Sequence, residues 1–171
     1  LEAVASHISK VEGIVVLTDK AHMPTSSKLT NLICYEDLIA DMSTEFTWPL
    51  LDENCDAALC YTSGTTGNPK GVMYTHRSTV LHTIASVQNN ALNITNDTVL
   101  LPVVPMFHVN AWGTPYAATM TGAKIVFPAH GMDGASLYEL INGEQANLLL
   151  GVPTIWLGLL NYLDQIGATL T

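Results

Sequence analysis

A chain of 171 residues is long enough to bury one substantial core, and 48% hydrophobic with only 12% charged residues excludes a long disordered or low-complexity polypeptide. A net charge of −9 argues against a nucleic-acid surface, which needs a basic patch. Cys34, Cys55 and Cys60 form no CxxC pair, so they point to small buried thiols in a reducing cytoplasm, not to a zinc site or a disulfide framework.

In chain order, Ile14-Val-Val-Leu17 reads as a short apolar strand, and Tyr35, Leu38, Ile39 and Met42 fall at helical spacing. Ala57 to Tyr61 is strand-like and runs into a glycine-rich loop, after which Gly71 to Tyr74 resumes a β pattern. A helix follows from about His76 to Leu92, with Thr75 as its N-cap and Val80, Ile84, Val87 and Ala91 along one face. Then come a strand at Val99–Val104, a helix from Ala111 to Met120 and a strand at Ile125–Phe127. Leu137, Leu140 and Ile141 mark a helix, Leu148–Leu150 a strand, and Trp156, Leu159, Leu160 and Leu163 the stripe of a last helix. The uncharged stretch Leu148 to Leu160 is too short to span a bilayer and is split by Pro153, so no transmembrane segment is expected. This alternation predicts an α/β fold, a largely parallel sheet with helices on both faces. Because the chain opens on Leu1 instead of Met, it reads as a piece of a larger protein.

The most informative segment is Tyr61-Thr-Ser-Gly-Thr-Thr-Gly-Asn-Pro-Lys-Gly71, which joins three glycines, a run of hydroxyls and one lysine. Glycine lets the backbone approach a polyanion, backbone N–H groups and hydroxyls donate to phosphate oxygens, and Lys70 supplies a cation, with Arg77 close behind it in sequence. The segment is not a Walker A loop. Its spacing is Gly64-x-x-Gly67-x-x-Lys70-Gly71, the residue after the lysine is glycine, and a proline precedes it.

The same residues resemble the YTSGTTGxPKG signature of the adenylate-forming superfamily, which includes acyl-CoA synthetases, luciferases and peptide-synthetase adenylation domains. Pro105-Met-Phe-His-Val-Asn-Ala-Trp-Gly113 and Pro115 to Lys124 resemble a second core region of the medium- and long-chain fatty acyl-CoA synthetases. Gly151-Val-Pro-Thr154 is similar to the turn beside their acyl pocket. The resemblance implies that residues 1–171 are a fragment of one adenylate-forming N-terminal domain, without the C-terminal domain, the ribose-binding aspartate or the YGxTE-like magnesium segment. It further implies a homodimer at full length.

The resemblance implies a reaction in which ATP and a carboxylic acid give an acyl-adenylate, from which coenzyme A takes the acyl group. Thr62, Ser63, Gly64, Thr65, Thr66, Gly67 and Lys70 would hold the nucleotide phosphates, with Thr66 beside Mg²⁺ and Lys70 acting on the leaving diphosphate. His108 would orient the acid's carboxylate. Val109, Trp112, Gly113 and Tyr116 would form one wall of the acyl pocket, with Trp112 as a gate, and Val152, Pro153 and Thr154 another. Both motifs fall at carboxyl ends of predicted strands, where ligands of such sheets gather. An apolar lining favours an aliphatic acid over an amino acid, whose ammonium needs a buried partner. Adenylation of an aryl, methylthio or amino acid, or a non-catalytic nucleotide binder, remain the alternatives, and His76, His82 and His130 receive no role.

Overall fold

Leu100 and Leu101 are both fully buried, although successive side chains of a strand point to opposite faces, so the strand that carries them is covered on both sides. It lies at the centre of the second of two compact units, Leu1–Leu50 and Leu51–Thr171, in a computed structural model that describes residues 1–62, 67–129 and 131–170.

In the first unit, β1 (Ile14–Val16) pairs in parallel with β2 (Leu32–Cys34), Ile14 opposite Leu32 and Val16 opposite Cys34. The buried Cys34 thiol donates to the Thr18 carbonyl at 3.2 Å. Helix α1 (Tyr35–Ile39) stops short of Met42, and its stripe of Tyr35, Leu38 and Ile39 is exposed in this unit, unlike the sequence-based expectation.

In the second unit, β3 (Asp56–Thr62) and β4 (Lys70–Thr75) form an antiparallel pair around the glycine-rich loop, with Tyr61 opposite Gly71 and Thr62 opposite Lys70. Helix α2 (His76–Ser86) follows β4 directly, because Thr75 caps it. Its hydroxyl accepts from Ser78 N at 3.1 Å while Ser78 Oγ accepts from Thr75 N at 3.0 Å. The helix ends at Ser86 and not at Leu92, since the polar run from Gln88 to Asn90 turns out of it and Asn93 takes a left-handed φ of 50°. Its inner face carries Thr79, Thr83 and Val87, with Thr83 buried, while Val80 and Ile84 are exposed. Thr79 and Thr83 accomplish this burial by turning their hydroxyls back onto helix carbonyls, Thr75 O and Thr79 O.

The central strand β5 (Val99–Val103) is flanked by two parallel neighbours, β6 (Lys124–Ile125) and β7 (Leu148–Gly151), as the α/β alternation requires. Asn147 ties the entry of this sheet together, accepting from Val99 N at 2.8 Å and donating to Asp97 O at 3.1 Å. Between β5 and β6 stand α3 (Val109–Trp112) and α4 (Thr114–Thr121), two pieces where one continuous helix was expected. Helices α5 (Gly134–Glu144) and α6 (Pro153–Ile166) pack together on one side of the sheet. Leu137 and Ile141 from α5, and Leu159 and Leu163 from α6, meet Leu101, Val103 and Val126 in one core. Each such side chain contributes roughly 1.5–3 kcal/mol by leaving water. Leu160 of the predicted α6 stripe is instead exposed. Proline at its first turn and Gly167 in the left-handed conformation at its end delimit α6.

Candidate functional site

Lys70 opens β4, exposed, and forms no ion pair among the described residues. Thr62 sits across the hairpin and its hydroxyl donates to the Lys70 carbonyl at 3.5 Å, closing the neck of the loop. Gly67 has a φ of +156°, which residues with a Cβ rarely adopt, and open space where that Cβ would lie. An ammonium with no ion pair among the described residues, three positions after a glycine with open backbone, is the chemistry a polyphosphate needs. Ser63, Gly64, Thr65 and Thr66 lie outside the described residues. Arg77 is paired with Glu53, Nη1 to Oε1 at 2.6 Å, at the surface.

At the carboxyl end of β5 the chain makes an unusual turn. Val109, Asn110, Ala111 and Trp112 have φ of 50°, 49°, 49° and 58°, and Gly113 completes the run at 74°. Left-handed backbone costs about 1–2 kcal/mol for each residue with a Cβ, and is rarest for β-branched or bulky residues such as Val109 and Trp112. The turn is held by Ala111 N donating to His108 O at 3.1 Å and by Gly113 N donating to Asn110 O at 3.0 Å. It is also tied to the strand that leads into the glycine-rich loop, since the buried Cys60 thiol of β3 donates to Asn110 Oδ1 at 3.5 Å.

This turn brings Val109, Trp112, Gly113 and Tyr116 together in one pocket of about 270 Å³. Its facing wall is α2 and the end of β4, through Tyr74, Ser78, Thr79 and His82, and sequence reasoning missed all four. A signal existed: residues 75, 78, 79 and 82 recur at helical spacing as a polar stripe, beside the apolar stripe on which the helix was read. His108 itself is exposed just before the turn and does not line the pocket. Pro153 and Thr154 are not part of it either. They line a separate cavity of about 480 Å³ with Trp156, Leu157 and Leu160 at the start of α6. Val152 is exposed before that helix.

Comparison with known proteins places this geometry in a family. The chain is 52% identical over 153 residues to a medium-chain-fatty-acid–CoA ligase of Ectopseudomonas oleovorans, covering 90% of this chain and 28% of that protein. It is 44% identical to a 3-methylmercaptopropionyl-CoA ligase of Ruegeria pomeroyi, covering 99% of this chain and 31% of the relative. A long-chain-fatty-acid–CoA ligase of Thermus thermophilus is 41% identical over 98% of this chain and 29% of its own length. The chain therefore spans less than a third of the curated relatives it matches. Among solved structures, the N-terminal domain of FACL13 from Mycobacterium tuberculosis superposes with a TM-score of 0.64 at 26% identity, over 84% of this chain and 35% of that one. The resemblance read from the glycine-rich loop and the segment ending at Gly113 holds. The AMP-binding enzyme model matches residues 3–169, and the chain belongs to that family.

Proposed function

We propose that a protein carrying this chain at the length of its relatives is an ATP-dependent acyl-CoA ligase for medium- or long-chain carboxylic acids. The observation that carries this reading is the pocket between α2 and the turn Val109–Gly113, joined to the phosphate strand through Cys60 and Asn110. It sets an acyl-sized space beside the strand that leads into the loop. The family implies use of ATP and coenzyme A.

In the first step an acid oxygen attacks the α-phosphorus of ATP, and the bond to the β,γ-diphosphate breaks. Negative charge grows on that diphosphate, so donors and cations aimed at it lower the barrier. Lys70, with Thr62, Ser63, Gly64, Thr65, Thr66 and Gly67, fills that role in this reading. Thr66 would help hold a magnesium ion, which would supply further charge neutralisation. His108 orients the carboxylate, and the pocket holds the chain behind it so that the reacting atoms stay aligned. In the second step the coenzyme A thiol attacks the carbonyl of the acyl-adenylate, and AMP leaves. A homodimer in the cytoplasm belongs to the same proposal.

A methylthio acid is the second reading, favoured by the Ruegeria relative. Incubation with ATP, coenzyme A and single acids, read by mass spectrometry, tests the proposal. It requires acyl-CoA and AMP in equal amounts from aliphatic acids; hydrolysis of ATP to ADP, or no product with any acid, contradicts it.

A further inference from the structure

The α2 wall of the pocket contains one side chain that the reaction above does not use. Ser78 and Thr79 face the pocket with their hydroxyls already committed, both donating to the Thr75 carbonyl at 3.0 Å. His82, one turn further along the helix, makes no hydrogen bond among the described residues. Although exposed on the helix, its ring abuts Gly113. A Cβ built on Gly113 would lie 2.9 Å from both Nδ1 and Cε1 of His82, closer than real Cβ contacts allow. The imidazole therefore occupies the volume that a side chain at position 113 would fill, and the two walls of the pocket meet at this contact. Gly113 is buried there, between Trp112 and Thr114.

We propose that His82 is a specificity-determining residue, whose ring against Gly113 limits the length of acyl chain that the pocket between α2 and the Val109–Gly113 turn accepts. The inference rests on the proposed function, because it assigns the acyl chain to this pocket. Removing the ring opens space where the walls meet, and enlarging it closes more. Among the described residues, neither Thr62 nor any residue from Gly67 to Lys70 lines this pocket, so a change at His82 is expected to act on the acid and not on ATP.

The test compares the unsubstituted full-length protein with its His82→Ala and His82→Trp variants, measuring kcat/KM for saturated acids of increasing length and KM for ATP. Each methylene that gains burial is worth about fourfold. For His82→Ala, an acid two methylenes longer than the original optimum gains about fifteenfold relative to that optimum. His82→Trp moves the optimum to shorter acids, and KM for ATP changes in neither. A structural role alone would lower all acids together, so opposite shifts from opposite changes of size are the distinguishing result. Thermal melts of both variants establish that they are folded; His82 is exposed on its helix, so the smaller variant retains the fold if the larger does not. A chain-length profile unmoved in folded His82→Ala overturns the inference while leaving the proposed function standing. Failure of the unsubstituted protein to use any saturated acid overturns the proposed function, and the inference with it.

Discussion

The Cys60 thiol donates to Asn110 Oδ1 at 3.5 Å, which links the strand entering the glycine-rich loop to the left-handed turn that carries Trp112. The donor is weak, but both partners are drawn out of bulk water, Cys60 buried and Asn110 half-buried. Asn110→Ala and Cys60→Ala should each raise KM for the acid by about threefold, near the low end for one hydrogen bond. The double variant should be no worse than either single one, because both remove the same contact. Steady-state kinetics check this, and additive effects would show that the two residues act separately.

Gly113 meets two demands at once, a φ of 74° and the ring of His82 at its face. Gly113→Ala should lose about 1–2 kcal/mol from backbone strain, and its methyl must also displace the His82 ring. Combining it with His82→Ala should recover the overlap and leave the strain. Thermal melts of the four proteins measure the coupling, and a Gly113→Ala midpoint equal to the original contradicts it.

Asp133 caps α5, accepting from Ala135 N and Ser136 N at 3.1 Å and from Ser136 Oγ at 2.7 Å. The Ser136 hydroxyl first, and backbone N–H groups after it, hold its carboxyl below the ordinary aspartate value. A carboxylate with a lowered folded pKa stabilises above its unfolded value, and that contribution disappears as pH falls through the folded value. Asp133→Asn should therefore lower the thermal midpoint at neutral pH, with the gap to the original protein closing under acid. A gap that stays constant across this range would locate the effect elsewhere.

Lys70 is exposed and free of ion pairs among the described residues, so its loss costs the fold little. Lys70→Ala should slow pyrophosphate formation by about a hundredfold, the scale of removing one donor from a developing anion. Single-turnover measurement of pyrophosphate release, with a melt as control, checks both halves.

Strands β5 and β7 and helices α5 and α6 were legible because their apolar residues repeat at the period of the element or run unbroken and meet one core, whereas the short β2 gave no such signal. Leu137, Ile141, Leu159 and Leu163 show this directly. The family signature in the glycine-rich loop was legible because it is local, written in adjacent residues. The break between α3 and α4 was not, since neither Val109 nor Trp112 favours left-handed backbone, and one of the contacts that hold the turn, Cys60 to Asn110, is distant in sequence. The α2 wall was missed for a related reason. Its inner face is built from threonines whose hydroxyls bond back to the helix, so burial there leaves no apolar signature. His82 has no meaning in sequence until Gly113, 31 positions away, is set against it.

The most direct measurement is acid-dependent exchange of labelled pyrophosphate into ATP by the full-length protein, with short, medium, long and aryl acids offered singly. Exchange that requires a medium or long aliphatic acid and is lost in Lys70→Ala is the result expected. Exchange with none of the acids, or exchange indifferent to Lys70, would contradict adenylation at this loop.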